Sequence, residues 1–193
     1  MSIRTKFSVK SVTRNEIKDF IESYHYSHNI NGVISDYCFG LYDQANLIGA
    51  MIYGRPAMAG QWKKYTNNPK ELTELRRLVC VDITPKNTES YFIGKTLRWL
   101  KKNTELKIVI SYADLEHGHS GVIYKASNFE FKGTIKGDRV ILVGDKQYHS
   151  KTIRTTYKGS LKPYAKKIKD QLASGEAIYK QTKGKNVYLY KLA

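Results

Sequence analysis

LKIVISYADLEHGHSGVIYKASNF, residues 106–129, is the stretch whose reading decides the fold. Leu106 to Tyr112 is a short apolar run of the kind that forms a strand buried on both faces. It ends on Asp114, a carboxylate that is costly at the end of a buried strand unless it has a partner or a task. Gly118 and Gly121 permit tight backbone around His119, and a short helix runs on through Tyr124 to Ser127. A buried strand feeding a helix through a polar, glycine-bearing turn is half of a strand–helix–strand unit.

The flanks extend the same alternation. Upstream, Leu72 to Ile83 reads as a longer strand broken by Pro85 and Asn87, and a helix follows from about Ser90 to Lys102 with Ile93, Leu97 and Leu100 as its buried stripe. Nearer the N-terminus, residues 4–12 read as a strand. Thr13 and Glu16 fit a capping box, and Ile17, Phe20, Ile21 and Tyr24 then recur at helical spacing until the helix gives way at His25-Tyr26-Ser27-His28. Strands at about 36–43 and 47–54 flank the turn Asp43-Gln44-Ala45-Asn46. Downstream come strands at about 129–135 and 139–144, a helix near 161–173 and a closing strand, Val187 to Leu192. The order implies an α/β fold in which a mixed central sheet is flanked by helices. It is expected as one domain, 1–193, with a basic C-terminal segment at 146–193.

Charge points to the partner. Against 33 Lys and Arg stand 17 Asp and Glu, a formal charge of +16. Such an excess repels itself in the folded state, and a polyanion relieves it; nucleic acid fits best, because each phosphate contact also releases counterions. An anionic membrane surface and a merely solvated basic face are the competing readings. The excess is uneven, since from Lys146 onward 12 Lys or Arg meet 2 acidic residues, with 6 tyrosines interleaved. The exposed-helix lysines Lys166, Lys167 and Lys169 are candidate nucleic-acid contacts, as is the cluster Trp62, Lys63, Lys64 and Tyr65 in the irregular stretch 56–70. The alternative for that stretch is a surface loop whose Trp packs on the body. Cys38 and Cys80 read as buried thiols, and no window approaches a membrane span, so an intracellular, reduced protein is expected.

Two strand–helix junctions could hold chemistry. At the first, the helix start near Ser90 offers free amides to a phosphate. Arg76 and Arg77 supply charge, one expected on each face of the strand. At the second, Asp114, His119 and Tyr124 bring together an acid, an imidazole and a phenol, suited to proton transfer or to a metal. His25 and His28 have i,i+3 spacing. Serine-hydrolase (GxSxG), zincin (HExxH) and Walker-type (GxxxxGK[ST]) signatures do not occur.

The element order resembles the GNAT (N-acetyltransferase) fold, although the residues from Thr84 to Ile93 depart from the usual Q/R-x-x-G-x-G/A signature. A closer resemblance is to the Mom family of phage DNA-modification proteins. It is carried by His25-Tyr26, Arg77-Leu78, the helix start Pro85-Lys86-Asn87-Thr88-Glu89-Ser90-Tyr91-Phe92, and Ser111-Tyr112-Ala113-Asp114. Gly118 to Phe129, Gly133 and the closing Gly184 to Tyr190 complete it.

That resemblance implies an enzyme that adds a carbamoylmethyl group to adenine N6 in double-stranded DNA, protecting phage DNA from host restriction in the bacterial cytoplasm. It implies acetyl-CoA and iron as cofactors, Arg77 and Ser90 as cofactor-binding residues, and His25, Tyr26, Asp114 and Tyr124 as the catalytic or metal-binding cluster, with His119 beside it. Two other readings share these residues. One is a conventional GNAT N-acetyltransferase acting on a modified base, a polyamine or a protein; the other is a non-catalytic nucleic-acid-binding protein. Oligomeric state is open, a homodimer included.

Overall fold

The structure, a computed structural model, describes residues 3–58 and 60–192. These divide into two compact units. The larger takes in the chain up to Ala113, His119–Gly133 and the closing stretch from Asn186; the smaller takes in Asp114–Gly118 and Thr134–Lys185.

The larger unit is built on a seven-stranded mixed sheet. Its elements are α1 (Ile3–Lys6), β1 (Phe7–Val12), α2 (Arg14–Tyr24), β2 (Tyr37–Asp43), β3 (Asn46–Gly54), β4 (Leu72–Cys80), α3 (Thr88–Asn103), β5 (Ile108–Asp114), α4 (Val122–Ala126) and β6 (Glu130–Ile135). With the closing strand β12 (Lys185–Lys191), the order across the sheet is β1-β2-β3-β4-β5-β12-β6. The first four strands are antiparallel neighbours, and β4 and β5 are parallel.

Strand periodicity decides which helix covers which face. On β3, Ala50 and Ile52 join Ile17 and Ile21 of α2 in one buried cluster. Met51 and Tyr53 join Phe92, Ile93, Leu97 and Leu100 of α3 in the other. The α3 stripe is as its spacing predicts. In α2 the expected face is shorter, because Tyr24 in the final position is exposed and stacks on Phe20 at 4.8 Å. The α2 capping box forms as read: Glu16 Oε2 accepts from the Thr13 amide at 2.6 Å, and Thr13 Oγ1 accepts from the Glu16 amide at 3.4 Å. Complete burial of Ile17 and Ile21 contributes about 1.5–3 kcal/mol each to holding α2 on the sheet.

In the smaller unit, β11 (Ala177–Gln181), β7 (Arg139–Val143) and β8 (Lys146–His149) form an antiparallel sheet in that order. Helix α5 (Pro163–Ser174) and the two-stranded hairpin of β9 (Thr156–Tyr157) and β10 (Ser160–Leu161) complete it. Its core is small: Ile141, Ile168 and Ala177, with Val143, Tyr148, Ile153 and Leu172 partly buried around them. The basic segment expected as an extension therefore supplies strands to all three sheets, since β8 pairs with β7, β9 with β10, and β12 lies between β5 and β6.

Cys38 and Cys80 are both free thiols, and burial pushes them up to about 11 and about 12 respectively, so neither forms a reactive thiolate near neutral pH. Among the described residues no helix is long and apolar enough to cross a membrane.

Candidate active site

The site begins where two strands part. The parallel register of β4 and β5 runs from Leu72–Ile108 to Leu75–Ser111 and stops there. Just beyond, β4 carries a bulge: Tyr53 of β3 pairs with Leu75, but its neighbour Ile52 pairs with Arg77, leaving Arg76 as the extra residue. The bulge corrects the expectation of one arginine per face. Arg77 stands across from Ile52 on the α2 side, where Nη2 donates to the Asn29 carbonyl (3.3 Å) and Nη1 to the Arg76 carbonyl (2.8 Å). Its Nε is buried with no hydrogen-bond partner, and burial lowers its pKa. Arg76 pairs instead with Glu74 at 3.4 Å and donates to the Arg55 carbonyl.

A row of rings lies near Arg77. His25, the C-cap of α2, is buried; its Nδ1 accepts from the Ser27 amide at 3.1 Å and lies 2.8 Å from Ser27 Oγ. These bonds assign the proton of the neutral ring to Nε2. The Tyr26 ring packs against His25 at 4.2 Å and against His119 at 5.1 Å. Tyr26 is also close enough to influence both Arg77 and Tyr124 electrostatically.

Tyr124 is held from α4 by packing on Phe129 (5.6 Å) and Tyr188 (5.2 Å), and its hydroxyl lies beside Ser111, at the point where β5 leaves β4. Burial pushes its phenol up to about 12. At neutral pH Tyr124 is therefore a proton donor and not a base. Tyr188 fixes the approach to α4: its hydroxyl donates to the Ser120 carbonyl at 2.8 Å, and its ring fills the space a Cβ on Gly121 would need. With φ of 84°, Gly121 is required on both counts. Sequence reading missed Ser111 and Tyr188 as parts of this site. A serine inside an apolar strand and an inward tyrosine in the alternating closing strand were the available signals.

Other expected residues lie in different surroundings. Asp114 has the partner its position demanded: Lys185 Nζ is 2.9 Å away, and the carboxylate accepts from the Glu116 amide to cap a short 3-10 turn. Ser90 lies in the first turn of α3, which starts at Thr88, and donates to the Asn87 carbonyl at 3.0 Å. No side chain caps that helix end. Ser90 also lines a cavity of about 760 Å³ with Tyr91, Gly94, Lys95, Arg98 and Asn128.

Trp62 and Tyr65 are partly buried against Leu72, Ile110 and Leu189, so their rings serve the body of the protein, while Lys63 and Lys64 are exposed. The cover they form includes Gln61, whose side-chain amide donates to the Tyr112 hydroxyl. On α5, Lys166, Lys167 and Lys169 are exposed, and Ala165 and Ile168 face inward.

Nothing in the structure supports the expected iron. Among the described residues no three His, Cys, Asp or Glu side chains converge as ligands. His25 Nδ1 is engaged by Ser27, and Asp114 is paired with Lys185.

A mixed sheet whose fourth strand is bulged and then parts from the fifth defines a class, the N-acetyltransferase fold. Arabidopsis thaliana NAA60 in complex with acetyl-CoA superposes with a TM-score of 0.57 at 9% identity, covering 96% of this chain and 98% of that one. Vibrio cholerae spermidine N-acetyltransferase in complex with CoA and spermine gives 0.54 at 11% identity, covering 97% and 96%. Within that class the chain belongs to the Mom protein family, whose model matches residues 6–193. The methylcarbamoylase mom of Escherichia phage Mu is 30% identical over 149 residues, which is 74% of this chain and 59% of that protein.

Proposed function

We propose that this chain is a DNA-modifying transferase that draws on acetyl-CoA to place a carbamoylmethyl group on adenine N6. The observation that carries the reading is the parting of β4 and β5 with Arg77, Tyr26 and Tyr124 around it. Membership of the Mom family and the name of the phage Mu relative support the substrate and the group transferred. The basic charge supports DNA as partner.

Acetyl-CoA suits the residues present. The uncapped N-terminus of α3 offers amides to a phosphate, Ser90 adds a hydroxyl, and Lys95 and Arg98 line the adjoining cavity. Gly94 leaves that cavity open: a Cβ there would meet only the Arg98 guanidinium, at 3.6 Å. When bound, the thioester would supply the two carbons: an amine-class nitrogen donor displaces the CoA thiolate at the carbonyl to make the amide, and joining the methyl carbon to adenine N6, with loss of one C–H and one N–H hydrogen, takes a two-electron oxidant from outside the chain. Arg77 would direct its unpartnered Nε at an oxygen of the bound group, and a buried donor without a partner is costly until one arrives. Tyr124, kept protonated by burial, would donate to the departing sulfur or to developing oxyanion charge. The His25–Tyr26–His119 row would hold the planar base. Adenine N6 lies on the base-pairing edge, so reaching it in a duplex requires the base to leave the stack.

The test is direct. Plasmid DNA from bacteria expressing the chain is digested to nucleosides and examined by mass spectrometry. Adenosine heavier by one carbamoylmethyl group is expected. Adenosine that stays unmodified in cells containing folded protein contradicts the reading.

A further inference from the structure

The longest run of one charge sign in the smaller unit surrounds a feature the chemistry above does not use. From Lys146 to Lys169 there are eight Lys or Arg and no Asp or Glu. Among the described residues none of the eight forms an ion pair. In the middle of this run stands the β9–β10 hairpin. Tyr157 pairs with Ser160, and Lys158 and Gly159 make the two-residue turn with φ of 48° and 80°. Positive φ at both central residues is what a tight hairpin turn needs, and it comes easily to glycine but not to lysine.

The turn displays one aromatic ring. Tyr157 is 65% exposed, and Lys158 Nζ lies 5.5 Å from its centroid. Tyr164, 48% exposed, opens α5 close by in sequence, and the same helix exposes Lys166, Lys167 and Lys169. Large apolar side chains of this segment are otherwise turned inward, as Ile153 and Ile168 show. A surface for lipid would expose such side chains, with Trp or Phe among them. Exposed tyrosine among unpaired lysines instead matches a partner with flat aromatic units and a regular line of phosphates.

We infer that the hairpin Thr156–Leu161 is a DNA-docking element, in which Tyr157 stacks on a base while Lys158 and the α5 lysines hold the backbone. This rests on the reading of DNA as substrate, and deepens it by naming the element that grips the strand. Its contribution is separable from charge. A cation contributes to binding any polyanion, whereas a stacking ring contributes only where bases are available.

The test is fluorescence anisotropy of the full chain with a labelled DNA duplex carrying one unpaired adenine. Heparin competition serves as the baseless control and phosphatidylserine vesicles as the lipid control. Tyr157→Ala is expected to weaken DNA binding by about 5- to 100-fold, the range of one aromatic–base stack, with heparin affinity unchanged. Tyr157→Phe should restore it, and Lys158→Gly should lower the salt dependence of binding by about one phosphate contact. Equal DNA affinity for wild type and Tyr157→Ala overturns the inference while leaving the DNA reading intact. Equal losses toward DNA and heparin overturn it too, as does binding to vesicles in place of DNA. Failure of the wild type to bind DNA at all defeats the substrate reading along with it.

Discussion

The two units place their polar groups in opposite ways. In the larger, the informative side chains are withdrawn from water: Tyr124 and His25 are buried, and Arg77 Nε lacks a partner. In the smaller, the core reduces to Ile141, Ile168 and Ala177, and the run from Lys146 to Lys169 carries charge of one sign, most of it exposed. Withdrawal changes what a group can do, as the raised pKa of Tyr124 shows. Exposure leaves a lysine ordinary, so its effect comes from number and placement. Chemistry is thus expected from the first arrangement and grip from the second.

The sharpest way to break that contrast is Tyr124→Phe. Loss of a positioned proton donor should lower DNA modification by about 10²- to 10⁴-fold, measured as modified adenosine, with DNA affinity unchanged. The same variant carries a pH signature. Because folding raises the Tyr124 pKa from 10 to about 12, its contribution is fully present below pH 10 and is lost as pH rises through 12. Denaturation measured across that window should show a shallower alkaline loss in Tyr124→Phe. Part of the loss should remain, since burial also raises Tyr53 and Tyr112.

Next in size is the core. Ile21→Ala, at a fully buried position, should cost about 2–5 kcal/mol in urea unfolding. The triple change Lys166→Gln, Lys167→Gln, Lys169→Gln should leave stability and CoA binding alone and reduce the slope of log affinity against log salt by about 3. Smallest is Gly94→Ala, which removes a glycine from the interior of α3 without a clash and should stabilise by about 1 kcal/mol in the same unfolding assay. Gly94→Phe, by filling the cavity, should instead abolish CoA binding.

Much of the larger unit was legible because its patterns are local. The Thr13–Glu16 capping box, the α3 stripe and the Asp43–Asn46 turn each declare themselves within a few residues. The bulge at Arg76 does not, because it exists only as a mismatch between β3 and β4, and it moved Arg77 to the face opposite the one alternation predicts. Ile83, read as strand, is 93% exposed, since the chain turns after Cys80 when the Thr84 amide bonds back to Val81. In the smaller unit, β9 and β10 have two residues each and β11 buries only Ala177, so none of them carries an alternation to read. For Trp62 the sequence leaves stacking on a base and packing on the body both open, because the residues it packs on, Leu72, Ile110 and Leu189, are distant in sequence.

The most direct measurement follows the carbon. An extract of bacteria expressing the chain is given duplex DNA and acetyl-CoA labelled in the acetyl group, and the nucleosides are separated. Label is expected in a carbamoylmethylated adenosine, and is expected to vanish with Arg77→Ala. Label found only on other amines, with adenosine unlabelled, would contradict a DNA-modifying transferase.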